Sequence, residues 1–297
     1  MLDKLSTEKR NERTMKMDEM STLEVLKIMN YEDQAVPHAV KAAIPIIESL
    51  VEQTIQSLKK GGRVIYVGAG TSGRLGLLDA VECPPTFGTD PKVVVGLIAG
   101  GEEAFVKAVE GAEDSLELGK SDLQQIELSN NDVVIGIAAS GRTPYVIAAL
   151  KYANEVGAVT GSISCNDDAE ISHFADYPIE VVTGGEVLTG STRLKAGTAQ
   201  KLVLNMISTA SMIGIGKAYN NLMVDVKPTN EKLVVRAKQI IMQATGIDEK
   251  RAAEVFKQAN SQVKPAIVMI LADVSYEEAL DRLNKAEGFV KGAISDN

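Results

Sequence analysis

Tryptophan is absent from this 297-residue chain, and Phe and Tyr together reach only 4% of it. So few aromatics argue against base-stacking platforms, aromatic cages and the aromatic belts of membrane proteins. Cysteine is nearly absent too. Cys83 and Cys165 stand far apart, in no CxxC or Cys/His cluster, which disfavours a disulfide framework and a structural zinc site and points to a reducing cytosol. Only two histidines, His38 and His173, are present, and no metal site can be assembled from them. No apolar run approaches the roughly 20 residues of a membrane span. The N-terminus to Met20 is charged throughout and has no hydrophobic signal region, so neither membrane association nor export is expected. Positive charge is the scarcer sign: 31 Lys+Arg against 40 Asp+Glu leave a net charge of −9. Nothing advertises nucleic acid as a partner.

What is plentiful is aliphatic. Hydrophobic residues make up 45% of the chain, enough for a sizeable core, and the length suggests about two domains. The first twenty residues are polar, with Ser6 to Arg13 in an unbroken hydrophilic run, and read as an arm. Ser21 and Thr22 followed by Glu24 give a capping-box start to a helix through Leu23, Val25, Leu26 and Ile28 that ends near Asn30. Val36 to Leu58 recur at helical spacing, and Gly61-Gly62 closes that second helix.

From Arg63 the pattern changes to short β-branched runs: Arg63 to Val67, Val93 to Ala99, Val133 to Ala138, Val159 to Ser164 and Tyr177 to Val182. Helical stretches near Ser72 to Ala80, Ala104 to Val109, Ser121 to Ile126 and Pro144 to Val156 separate them. This βαβ rhythm predicts an α/β fold with a doubly wound, parallel, five-stranded sheet. Ala196 to Ile213 reads as a long closing helix, and Asn220 to Asn230, with Pro228, as a connector to a helical C-terminal part. There Lys264 to Leu271 is ambiguous by periodicity, but helical neighbours favour helix. The expected organisation is an arm and helices over 1–50, an α/β domain over 51–217 and a small helical domain over 228–297.

Two junctions echo each other. After the first strand comes Gly68-Ala69-Gly70-Thr71-Ser72-Gly73-Arg74, and after the third Ala138-Ala139-Ser140-Gly141-Arg142-Thr143-Pro144. Both put Ser-Gly-Arg where a strand hands over to a helix, whose first N–H groups and dipole favour an anion. Hydroxyls add donors, small residues allow close approach, and Arg74 or Arg142 offers a charge-assisted contact. A phosphate ester is the natural guest. Ser72 and Ser140 as ordinary N-caps is the plainer reading of either loop alone. Gly68 to Gly73 also matches G-x-G-x-x-G, but the acidic residue expected at the end of the second strand is missing, because that strand closes Ile98-Ala99-Gly100-Gly101.

The same segments resemble the N-acetylmuramic acid 6-phosphate etherases. The resemblance is carried by Gly68 to Gly76, Glu82 to Thr86 (ECPPT), Gly96 to Gly101, Val109 to Ser115 (VEGAEDS) and Ala138 to Tyr145 (AASGRTPY). Ile163 to Asn166 (ISCN), Glu186 to Lys201 and Asn221 to Asp225 carry it further, and it runs essentially the whole chain. The family is a branch of the sugar isomerase (SIS) fold, related to the glucokinase regulatory protein. Membership implies a cytoplasmic, cofactor-free homodimer with sites near the subunit interface. It also implies release of D-lactate from a phosphorylated amino sugar. By similarity Glu82 and Glu113 are the catalytic carboxyls, with Glu82 the proton donor. Gly70, Thr71, Ser72, Gly73, Arg74, Ser140, Gly141, Arg142, Thr143, Glu186, Ser191 and Lys195 are implied to bind substrate.

The implied chemistry also follows from the substrate's bonds. In the ring-opened sugar the C1 aldehyde acidifies the C2 proton, and the lactyl ether at C3 lies β to that carbonyl. One carboxyl group can remove the proton and another can protonate the departing oxygen, with no metal or redox cofactor. The plainer reading of each Glu is an exposed acid at a helix end. Ten residues of helix from Ser72 to Glu82 span about 15 Å. Either that helix breaks before Pro84, then, or Glu82 serves another subunit's site, the reading favoured here. His38 and His173 are candidates to assist ring opening, but structural roles suit them better. Cys83 reads as packing. Two other functions fit an SIS fold: a non-catalytic regulator that binds a sugar phosphate, and an aldose–ketose isomerase that shares the C2 proton abstraction.

Overall fold

The computed structural model describes residues 5–228 and 230–295. The first four residues of the expected arm, Thr229 of the connector and the last two residues lie outside the described residues. Two compact units emerge. One comprises the described residues up to Val81 together with Lys92–Ser208; the other comprises Glu82–Pro91 together with the described residues from Thr209 onward.

The first unit is built on five parallel strands, β1 (Val64–Gly68), β2 (Val94–Ile98), β3 (Val133–Ile137), β4 (Val159–Ser164) and β5 (Tyr177–Glu180), in the order β2-β1-β3-β4-β5. The sheet expected from the β-branched runs is present, each strand within two residues of its predicted limits. β1 and β3 are buried along their whole length, as continuous apolar strands covered on both faces should be. One face carries α5 (Leu116–Gln125) and α6 (Pro144–Val156), whose Leu123, Tyr145, Val146 and Leu150 pack on Ile65, Val67 and Val134. On the opposite face, Leu50 of α2 (Ala35–Lys59) lies over Gly161, and Gly76 of α3 (Gly70–Phe87) sits against Tyr66 and Ile137. A β-carbon at Gly76 would lie 2.9 Å from Tyr66, so the missing side chain is what allows this close approach.

Upstream, α1 (Thr22–Asp33) opens on the predicted capping box between Ser21 and Glu24 and runs three residues past its expected end. The arm is not loose: it forms short 3-10 turns at Ser6–Glu8, Glu12–Thr14 and Met17–Glu19 and buries Thr7 and Thr14. Helix α3 is longer than the sequence pattern suggests. It continues through Pro84 and Pro85 to Phe87, so the expected alternative of a break before Pro84 does not occur. Helix α4 (Glu103–Val106) is correspondingly short, and α7 (Lys195–Gly214) matches the long closing helix.

The second unit holds α8 (Glu231–Thr245), α9 (Glu249–Gln258), α10 (Val263–Leu271), α11 (Tyr276–Lys285) and α12 (Val290–Ile294). The ambiguous Lys264 to Leu271 stretch is the helix α10, and Asp248 caps α9 through Arg251 N–H. Val224 and Val226 of the connector are buried in this unit's core. Lys264 is buried there and donates to Gly216 O and Asp225 Oδ2 at 2.9 and 2.8 Å. Burial holds its ammonium below the ordinary lysine range, against the pull of Asp225. Among the described residues no helix is long and apolar enough to cross a membrane.

Candidate functional site

The strand order places the site. From β1 the chain moves outward to β2, and from β3 it moves outward the other way to β4 and β5, so the direction of winding reverses between β1 and β3. In open parallel sheets the crevice at such a reversal, beyond the C-terminal strand ends, is where ligands bind. Gly68 ends β1 directly opposite Ile137 at the end of β3, so the two Ser-Gly-Arg loops leave adjacent strands about 5 Å apart.

The loops are built differently. In the first, Gly70 opens α3 at φ +52°. A β-carbon on Gly73 would come within 2.6 Å of Gly68 O, so the first turn lies on the strand end. Ser72 therefore stands inside the helix rather than at its cap, and its buried hydroxyl donates to Gln200 Oε1 of α7 at 3.0 Å. Gln200 is itself buried, and its Nε2 has no hydrogen-bond partner among the described residues. Arg74, expected to face an anion, donates from Nε to Phe105 O at 2.9 Å and from Nη2 to Ala104 O at 2.8 Å. In the second loop Ser140 Oγ accepts from Arg142 N–H at 3.3 Å, closing a local turn rather than capping α6. Gly141 adopts φ +72°, and any β-carbon there would collide with Ala169. Thr143 occupies the N-cap of α6 without a side-chain capping bond. Arg142 Nε lies 4.0 Å from Glu170.

Glu113 joins the first loop. It sits exposed on a 3-10 turn, Ala112–Asp114, in the connection from β2 to α5. With Ala69, Gly70, Arg74 and Ala99 it lines a cavity of about 200 Å³. A second cavity of about 240 Å³ is lined by Ser140, Arg142, Glu170, His173 and Leu5 of the arm. His173 Nε2 lies 3.5 Å from Asp168, whereas His38 is exposed on α2. Glu82 is exposed on α3, ten residues on from Ser72 along a helix that never reverses.

Glu186 and Ser191 belong to the segment between β5 and α7, and Lys195 opens α7. Glu186 is fully buried and accepts the N–H groups of Lys195 and Ala196, both at 2.9 Å, so its carboxylate occupies the N-terminus of α7. Burial pushes the Glu186 pKa up despite those bonds. Lys195 Nζ is buried 3.0 Å from Glu32 Oε2, which also accepts from Asn11 at 2.7 Å, while Arg13 donates to Oε1 at 2.8 Å. Burial alone would raise the Glu32 pKa, but these three donors outweigh it and hold the carboxyl below its ordinary range. Glu32, Asn11, Gln200 and Asn166 carry no sequence periodicity, and nothing in composition singles them out. Only the dense motif around Gln200 and the ISCN segment hinted at two of them.

Two family models match the part of the chain that carries the sheet. Residues 46–154 match the glucokinase regulatory protein N-terminal SIS domain, and residues 118–210 match the SIS domain. A phosphoheptose isomerase from Francisella tularensis, 15% identical, superposes with a TM-score of 0.49 over 65% of this chain and 100% of its own. The N-acetylmuramic acid 6-phosphate etherase of Exiguobacterium sp. is 66% identical over 294 residues, 99% of this chain and 100% of that one. That of Halalkalibacterium halodurans is 63% identical over 296 residues, 100% of this chain and 99% of that one. With identity of this order along its whole length, the chain belongs to the N-acetylmuramic acid 6-phosphate etherase family.

Proposed function

We propose that this chain cleaves the D-lactyl ether of N-acetylmuramic acid 6-phosphate, giving N-acetylglucosamine 6-phosphate and D-lactate. One observation carries the reading beyond family membership: two anion-suited loops flank the reversal point of the sheet, and Glu113 lines the same cavity as the first of them. The phosphate is held by the helix N-termini at Gly70 to Gly73 and Ser140 to Thr143 and by the Thr71, Ser140 and Thr143 hydroxyls, with Arg142 adding charge and Ser72 bracing the first turn through Gln200. Arg74 secures the segment that carries Glu113. Glu186, Ser191 and Lys195 shape the far wall, the first and last through the buried bonds described above.

The reaction proceeds on the open-chain aldehyde. A carboxylate takes the C2 proton, the electrons form the C2–C3 double bond, and the C3–O bond breaks as lactate leaves with a proton from a carboxylic acid. Water then adds its hydroxyl to C3 and a proton to C2. Glu113 and Glu82 are the carboxyl pair, with Glu82 the donor. Because α3 carries Glu82 away from the first loop without a break, the reading includes a homodimer in which Glu82 of a second copy completes the site. A cysteine content limited to Cys83 and Cys165, both buried, and a phosphorylated substrate fit a cytoplasmic setting. Purified protein incubated with N-acetylmuramic acid 6-phosphate tests the whole reading. D-lactate release is expected; binding without lactate release indicates a regulator, and conversion to a ketose an isomerase.

A further inference from the structure

The polar arm crosses the C-terminal ends of β3 and β4 and reaches the segment after β5, the edge where the second anion loop sits. Ser6 Oγ donates to Cys165 O at 3.2 Å and Asn166 Oδ1 at 2.8 Å, and Thr7 N–H donates to the same Oδ1 at 3.2 Å. Asn166 Nδ2 in turn donates to Thr7 Oγ1 at 3.1 Å and to Ala139 O at 3.0 Å. Further along, Asn11 donates to Gly185 O at 3.4 Å, and a β-carbon at Gly185 would run into Lys9 O. Thr7 and Asn166 are 0% and 1% exposed, so water cannot replace what the arm provides.

The amide of Asn166 is saturated: both protons and both oxygen lone pairs are used, and one of its partners is the carbonyl of the residue just before Ser140. A saturated buried network is stiff, and losing one member strands the others. Leu5, the first described residue of the arm, lines the cavity that Ser140 and Arg142 open onto.

Resting on the phosphosugar reading above, we propose that the arm is a wall of the sugar-phosphate site, and that Thr7 and Asn166 are positioning residues that fix the Ser140–Thr143 loop for the phosphate. The arm touches the loop's support, not the reacting carbons, so its loss weakens phosphate capture and spares the chemical step.

The test is Thr7→Val, which keeps the side chain's shape and removes the acceptor for Asn166. KM for N-acetylmuramic acid 6-phosphate should rise about tenfold, the effect of one stranded buried donor, with kcat within about threefold of wild type. Binding of N-acetylglucosamine 6-phosphate, followed by calorimetry, should weaken in parallel, and Thr7→Ser should restore both. Unchanged KM and affinity in Thr7→Val, or a fall confined to kcat, overturns the inference. In the unmodified protein, which involves no risk to folding, saturating N-acetylglucosamine 6-phosphate should slow amide exchange over Ser6 to Asn11. Unaltered exchange despite demonstrated binding also overturns it. A wild-type protein that neither binds the phosphosugar nor releases lactate removes the functional reading instead, and the inference with it.

Discussion

Lys195 Nζ lies 3.0 Å from Glu32 Oε2 across 163 positions of sequence, with 3% and 7% of the two side chains exposed. The pair ties the start of α7 to the end of α1, and Arg13 and Asn11 of the arm complete it. Removing one member of a buried pair leaves the other uncompensated. Lys195→Met should lower unfolding free energy by about 3 kcal/mol, near the bottom of the usual range because Arg13 and Asn11 remain on Glu32. Urea unfolding measures it.

The same network sets a pH dependence. Glu32 titrates below its ordinary value in the folded state. Its stabilisation is therefore complete above the unfolded-state pKa of about 4.3 and is lost as pH falls through the lower folded value. The stability gap between wild type and Glu32→Gln should be constant from pH 7 to about 5 and shrink below that. Denaturant titrations at several pH values check the sign, and a gap that widens on acidification contradicts the assignment.

Glu113 is exposed and has no side-chain hydrogen bond or ion pair among the described residues, so Glu113→Gln should leave the melting temperature in place. Turnover should fall at least about a hundredfold, the usual contribution of a general acid or base. Co-expressing Glu113→Gln with Glu82→Gln examines the shared site. Random pairing makes half the dimers mixed, each with one intact site, so about a quarter of wild-type activity should return. No recovery would place both carboxyls in one subunit.

Arg74 separates two roles kinetically. Its guanidinium edge is engaged with the Ala104 and Phe105 carbonyls. Arg74→Lys cannot span both with that geometry, and loosening the Glu113 segment should depress kcat more than it raises KM. A KM effect restricted to phosphorylated sugars would instead make Arg74 a phosphate ligand.

Gly141 offers the sharpest local lesion. Gly141→Ala imposes a side chain at φ +72° and against Ala169, a conformational cost of about 1–2 kcal/mol before any clash. KM for the phosphosugar should rise, and KM for an unphosphorylated analogue should change less.

Much of the fold was legible because its signals are periodic or punctuated. The β-branched runs of the sheet, the Ser21–Glu24 box and the Gly61-Gly62 stop are each local patterns with one structural solution. Where the sequence misleads, a neighbour overrides a local rule. Pro84 leaves a helix break open as the less favoured of two readings, and α3 passes through it and Pro85 to Phe87. The hydrophilic run from Ser6 reads as an arm, but no local pattern shows that its polarity is spent on a buried amide and carbonyl beyond β4. The paired loops were visible as a repeated Ser-Gly-Arg, but which way Ser72 and Arg74 turn depends on Gln200 and Ala104, which no spacing rule connects to them.

The arm's partners also fix an order of events during synthesis. Ser6 and Thr7 leave the ribosome about 160 residues ahead of Cys165 and Asn166, the groups that bind them. At translation speeds of roughly 5–20 residues per second, those residues wait on the order of ten seconds with nothing to dock on. Contacts this distant in sequence also carry the largest loop-closure cost. The earliest-made stretch of this site is among the last to settle, so the Ser140 loop completes its support only after β4 has joined the sheet.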